Sequence, residues 1–118
     1  MADLTTDEAV DFHDILTELE PALEAAFSAQ LINMVYQRNW AYRVHHPDPP
    51  MRNGQPNPHV HWHITPRYDH PVIFEGITFE DPTFGEPYEW RNRQVTTMVR
   101  AAIIDRIRAH LSITLVEL

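Results

Sequence analysis

The sequence predicts a mixed α+β domain: a long helix first, short strands in the middle and a second helix last. Three observations carry this. Apolar residues recur at three-and-four spacing over residues 6–28 and again over 91–110. Short β-prone runs lie between those stretches. A proline-rich segment separates the first such run from the next. The chain has 118 residues, 43% of them hydrophobic. That length fits one compact domain over residues 1–118, and no internal repeat or low-complexity segment divides it.

The elements follow in order. Thr5-Thr6-Asp7-Glu8 reads as a capping box, with Thr5 capping the helix and Glu8 reaching back. Val10, Phe12, Ile15, Leu16, Leu19, Leu23, Ala26 and Phe27 supply the apolar stripe of a helix over 6–28. Pro21 lies inside it and is expected to kink or split it. Leu31 to Tyr36 has strand character. Residues 38–58 read as loop, with prolines at 47, 49, 50, 56 and 58, and His45-His46 fall there as a solvated pair. A second strand is expected over 59–65, with Pro66 ending it or marking an edge. Val72-Ile73-Phe74 and Ile77-Thr78-Phe79 are split by Glu75-Gly76 and read as one bulged strand or a hairpin. Glu80 to Tyr88 reads as loop. A helix is expected over 91–110, and Leu111 to Leu118 fits either its end or a short strand.

The richest signal is His59-Val60-His61-Trp62-His63-Ile64-Thr65. On a strand, alternate side chains share a face, so the three imidazoles line one side. Val60, Trp62 and Ile64 line the other and can pack on a core. Imidazole has an ordinary pKa of ~6.5, so a neutral, nucleophilic fraction exists near pH 7. One chemistry is attack of the central ring, His61, on a phosphoanhydride, with His59 and His63 orienting it and stabilising charge. A second is metal ligation. Side chains two apart on a strand stand ~6.5–7 Å apart at the backbone. Two rings can therefore meet on one ion, but a third ligand has to come from His45, His46, His70 or a carboxylate. The plain alternative is a solvated row of histidines.

Elimination narrows the chemistry. There is no cysteine and no lysine, and the two serines, Ser28 and Ser112, lie in no G-x-S-x-G turn. Three glycines leave no room for a P-loop or a G-x-G-x-x-G fingerprint. Covalent chemistry therefore falls to histidine or a carboxylate. The formal charge is −8, with seventeen acidic residues against nine arginines. That balance disfavours a nucleic-acid polymer, yet a small phosphate ligand stays compatible with a local arginine field. No apolar run reaches membrane-spanning length, and the start of the chain carries no signal-peptide pattern. A cytoplasmic protein is expected.

Pro58 to Tyr68, PHVHWHITPRY, closely resembles the signature of histidine triad (HIT) proteins: His-φ-His-φ-His-φ-φ with φ apolar, often followed by Pro-Arg. Thr65 stands at the last apolar place. The preceding helix, the strand carrying Asn33 and the segment Phe79 to Gly85 also resemble family features, so the likeness covers residues 4 to 110. It implies an α+β fold with an antiparallel sheet, commonly a two-fold homodimer. It implies a nucleotide hydrolase or nucleotidyl transferase, with a dinucleoside polyphosphate or similar nucleotide as substrate and no metal or cofactor. By position, His61 resembles the nucleophile that becomes nucleotidylated. His59 resembles the ring that orders it, and His63 the ring that contacts phosphate. Gln55, Asn33 and Arg67 are the candidate substrate-binding residues. Pro56 stands where many members carry Ser or Thr. Typical members also carry N-terminal strands ahead of the long helix. This chain is expected to lack them, as a short form, a fragment or a product of a late-assigned start. A truncated module that binds a nucleotide or a partner without turnover is the alternative reading.

Overall fold

The computed structural model describes residues 3–89 and 93–111. The chain is mixed α+β. Its element order is α1 (Thr6–Phe27), β1 (Leu31–Tyr36), a 3₁₀ turn (Asn39–Tyr42), β2 (Trp62–Arg67), β3 (Val72–Phe74), β4 (Ile77–Phe79) and α2 (Thr97–Ala109). Among the described residues no helix is long and apolar enough to cross a membrane.

α1 starts at its capping box. The Thr5 amide donates to Glu8 Oε1 at 3.1 Å, and the Glu8 amide donates to Thr5 Oγ1 at 3.2 Å. Those bonds satisfy amides that the first helical turn leaves without partners. Hydrogen bonding from the Thr5 backbone and side chain to the Glu8 carboxyl holds it below the ordinary carboxylate range. Pro21 does not split the helix: α1 is one continuous element through it. The turn after Pro21 carries Ala22, Leu23 and Ala26, all buried, and their packing offsets the missing amide. Val10 and Ile15, placed on the apolar stripe by spacing, are exposed.

The described strands form two separate two-stranded sheets, β1–β2 and β3–β4. The Gln30 amide, just before β1, donates to the Arg67 carbonyl at the end of β2, and Tyr36 at the end of β1 stacks on Trp62 at the start of β2. This is the antiparallel sense. β2 runs 62–67 rather than the expected 59–65. Its partner β1 ends at Tyr36, so His59 to His61 have no β1 residues left to pair with. Pro66 lies within β2, tolerated because among the described residues β2 is bonded to a strand on one side alone. β3 and β4 make a hairpin with Val72 opposite Phe79 and Phe74 opposite Ile77. Glu75 and Gly76 turn it with φ of 51° and 73°, the pair of left-handed residues that a two-residue turn of this hand requires.

α2 begins at Thr97 rather than near 91 because Thr96 caps it: its hydroxyl oxygen accepts from the Val99 amide at 3.2 Å. Arg93 lies ahead of the helix and donates to the Thr78 carbonyl at 2.6 Å. The expected continuation of this region at residues 91–92 and 112–118 lies outside the described residues.

The chain divides into two compact units: one of Met1–Asp14 and Asn33–Thr65, the other of Ile15–Ile32 and Pro66–Leu118. In the first, Trp62 is packed between Phe12 (centroids 5.3 Å) and Tyr36 (5.2 Å), and Ala41 is fully buried. In the second, Ala22, Leu23 and Ala26 are buried, Phe27 meets Phe74 edge-on at 5.4 Å, and the Arg106 guanidinium lies over both rings.

Arg67 is the one buried charged residue among those described, 2% exposed. Nε and Nη2 donate to the two oxygens of Asp81 at 2.6 and 3.2 Å; Nη2 also donates to the Thr83 carbonyl at 2.8 Å, and Nη1 to the Glu86 carbonyl at 2.9 Å. The Tyr68 amide adds a bond to Asp81 Oδ2 at 3.2 Å. The Arg67 side chain holds the Asp81 carboxyl below the ordinary carboxylate range, against an opposing push from burial. Removing one partner strands a buried charge. Asp81→Ala is therefore expected to lose about 3 kcal/mol of stability in urea denaturation. A depressed carboxylate pKa stabilises the fold above its unfolded value, ~3.9, and that contribution disappears as pH falls through the folded value. Asp81→Asn should lack this acid-range loss while wild type shows it.

Candidate functional site

The pleat of the chain at residues 61–63 places Trp62 on one side and His61 and His63 on the other. Trp62 is committed to Phe12 and Tyr36, so the two imidazoles stand together on the opposite face. They meet nitrogen to nitrogen: His61 Nε2 is 3.1 Å from His63 Nε2, with ring centroids 4.7 Å apart. Both rings are half-buried.

The loop before them completes the cluster. Trp40, in the 3₁₀ turn, sets its ring edge-on against His63 at 4.6 Å. Its carbonyl accepts from the Arg43 amide at 3.2 Å and from the Asp48 amide at 2.9 Å. Arg43 covers the Trp40 ring at 4.0 Å. This folds the proline-rich segment back and brings Asp48 Oδ2 to 3.4 Å from His61 Nε2. Arg38 Nε ties the far end of the loop through the Pro58 carbonyl at 2.6 Å. One ligand atom each from Asp48, His61 and His63 then lies within 4.8 Å of the others.

Burial pushes the His63 imidazole below its ordinary range. His61 and Arg43 push the same way, and Asp48 opposes them. His63 is therefore biased to its neutral form, which leaves a lone pair on one ring nitrogen.

The other expected site residues are placed as follows. His59 precedes β2, is exposed, and its field acts on Glu8 at the start of α1. The structure thus gathers His61 and His63 with Asp48, and His59 is not part of that group. Asn33 lies half-buried in β1. Gln55 is exposed and closes a tight turn: its amide and carbonyl both bond Arg52, across Asn53 and Gly54 at positive φ. Arg67, expected to bind substrate, is instead spent on Asp81 and loop carbonyls inside the second unit. A planar fork that suits phosphate suits a carboxylate equally well. His45 and His46 are exposed, as expected of a solvated pair. His70 pairs with Asp69 at 2.6 Å.

Two contributors were not singled out by sequence reasoning, Asp48 and Trp40. The signal available for Asp48 was the requirement for a carboxylate to complete a two-histidine set. A separate concavity of about 410 Å³ in the second unit is lined by Glu80, Asp81 and Glu89 against a single arginine, Arg93. Comparison with protein-family models, curated proteins and solved structures finds no match to this chain.

The electrostatics have a measurable consequence. With a chelator present, NMR titration should find His63 protonating below the ordinary imidazole range. Asp48→Asn should lower it further and His61→Asn should raise it. Because folding favours neutral His63, its contribution to stability is full above the unfolded pKa and is lost as pH falls through the depressed one.

Proposed function

We propose that this chain is a histidine-triad-like nucleotide hydrolase or nucleotidyl transferase working through His61. The observation that carries the reading is the contact of His61 Nε2 with His63 Nε2 at 3.1 Å, on the open side of a strand whose other side is packed. One neutral ring in such a pair holds a bare nitrogen, and the other can present an N–H beside it.

In the proposed reaction the bare nitrogen of His61 attacks the phosphorus next to the ribose. A P–N bond forms as the bond to the leaving group breaks; a phosphate departs as its anion, and an amine departs after taking a proton from solvent. His63, relieved of its partner, turns its N–H to a phosphoryl oxygen and offsets the developing charge. Water then attacks the nucleotidyl-histidine, the P–N bond breaks, and the nucleoside monophosphate leaves. A different acceptor in place of water makes the reaction a transfer. The resemblance further implies a homodimer and a nucleotide substrate class.

Binding without turnover is the second reading, and one observation favours it. Arg67 is consumed internally, which removes an arginine from the candidate substrate contacts.

A single assay separates the two. In chelator, wild type should hydrolyse a dinucleoside polyphosphate or a nucleoside phosphoramidate. His61→Asn should lower kcat by at least about 10³-fold, and His63→Gln by about 10²-fold. Equal rates for wild type and His61→Asn would remove His61 from the mechanism. Calorimetric binding of adenosine monophosphate with no turnover of either substrate establishes the binding module instead.

A further inference from the structure

We propose that Asp48, His61 and His63 bind one divalent transition-metal ion of the zinc type. The inference stands on the geometry of the cluster and does not depend on the nucleotide reading. Their three ligand atoms lie within 4.8 Å of one another. Two separations are short: 3.1 Å between the imidazole nitrogens and 3.4 Å from His61 Nε2 to Asp48 Oδ2. Zinc sits about 2.0–2.1 Å from an imidazole nitrogen and about 2.0–2.2 Å from a carboxylate oxygen, so a tetrahedral angle puts neighbouring ligand atoms roughly 3.3–3.4 Å apart. These two separations match that value to within a few tenths of an ångström, and the His63–Asp48 separation, held within 4.8 Å, closes to it by a shift of at most roughly 1.5 Å, the reach of a turn of the Asp48 carboxylate.

Proton accounting points the same way. When both rings are neutral, a hydrogen bond between the two Nε2 atoms uses one proton and one lone pair. The Asp48 carboxylate brings further lone pairs and no proton. A bare ring nitrogen and a carboxylate oxygen then compete for one N–H, and a dication satisfies both.

Burial pre-arranges the ligands. Trp62 fixes the strand, Trp40 packs on the His63 ring, and the Trp40 carbonyl holds the Asp48 backbone. Two nitrogens and one oxygen are the donor set of zinc, cobalt or nickel rather than of magnesium or calcium, which take oxygen. Three protein ligands leave a fourth position open for water or a substrate oxygen, which marks a catalytic or regulatory site rather than a closed structural one. The ion would take the His61 lone pair that attack on phosphorus requires, so the metal-bound form has no covalent route through His61.

The test uses the whole chain, stripped with a chelator and dialysed. Cobalt(II) titration should give the visible absorption of a low-symmetry, four-coordinate site at one ion per chain, and calorimetry should find one zinc ion displacing it. His61→Asn and His63→Asn should weaken binding by at least about 100-fold and Asp48→Asn by at least about tenfold. His45→Gln and His46→Gln should leave it unchanged. In wild-type protein, zinc should move the NMR signals of His61 and His63 and leave those of His45 and His46 in place, which tests the site with no variant to fold. No uptake, uptake that survives loss of both His61 and His63, or shifts confined to His45 and His46 would each overturn the proposal. Turnover in chelator with no metal uptake keeps the nucleotide reading and removes this one; metal uptake with no turnover in chelator does the reverse.

Discussion

Trp62 sets the direction of everything around it. Its ring lies between Phe12 from the helix and Tyr36 from β1, with centroids 5.3 and 5.2 Å away. Packing a side chain this large, even half-buried, is the dominant favourable term available to the first unit, where Ala41 is the one fully buried apolar residue among those described. Since neighbouring residues on extended chain face opposite ways, holding Trp62 inward turns His61 and His63 outward as a pair. The histidines are aligned by a residue that takes no part in their chemistry. Trp40 then acts from the other side, laying its edge on His63 and lending its carbonyl to the Asp48 amide. Two tryptophans, one on each face, make a rigid mount from a short strand and a proline-rich loop.

The second unit is organised by a different force. Arg67 is buried with its guanidinium divided among a carboxylate and two loop carbonyls. A buried cation without such partners costs several kcal/mol, so residues 81–86 are obliged to fold around it. Arg106 plays a milder part, lying over Phe27 and Phe74 with its stem along apolar surface. Arginine, the sole strongly basic residue type in the chain, thus serves as internal scaffolding at both places.

Much of this was legible from local chemistry. The capping box at Thr5 and Glu8, the strand at 31–36 and the turn at Glu75-Gly76 depend on residues within a few positions of one another, and each formed where its residues dictated. The alternation that puts His61 and His63 on one face is local too. The rest is set by distant partners. β2 begins at Trp62 rather than His59 because β1 supplies only six residues to pair with. Asp48 reaches His61 through a chain reversal built on Trp40, and no short-range pattern encodes that meeting. Arg67 carried the right shape for phosphate, yet its choice of Asp81, fourteen residues later, was decided by burial.

The two tight turns impose a rule of chain arithmetic. Across Glu75-Gly76 the pairing puts Val72, Phe74, Ile77 and Phe79 on the half-buried side and Ile73 and Thr78 on the wet side. One residue added or removed between Phe74 and Ile77 would invert β4 against β3, carrying Phe79 outward and Thr78 inward. The Arg93 guanidinium, now over the Phe79 ring and bonded to the Thr78 carbonyl, would lose both anchors at once. Substitutions among residues that accept a left-handed backbone are tolerable at these loops in a way that insertions are not, so related chains should vary there within glycine, asparagine and aspartate more readily than in count.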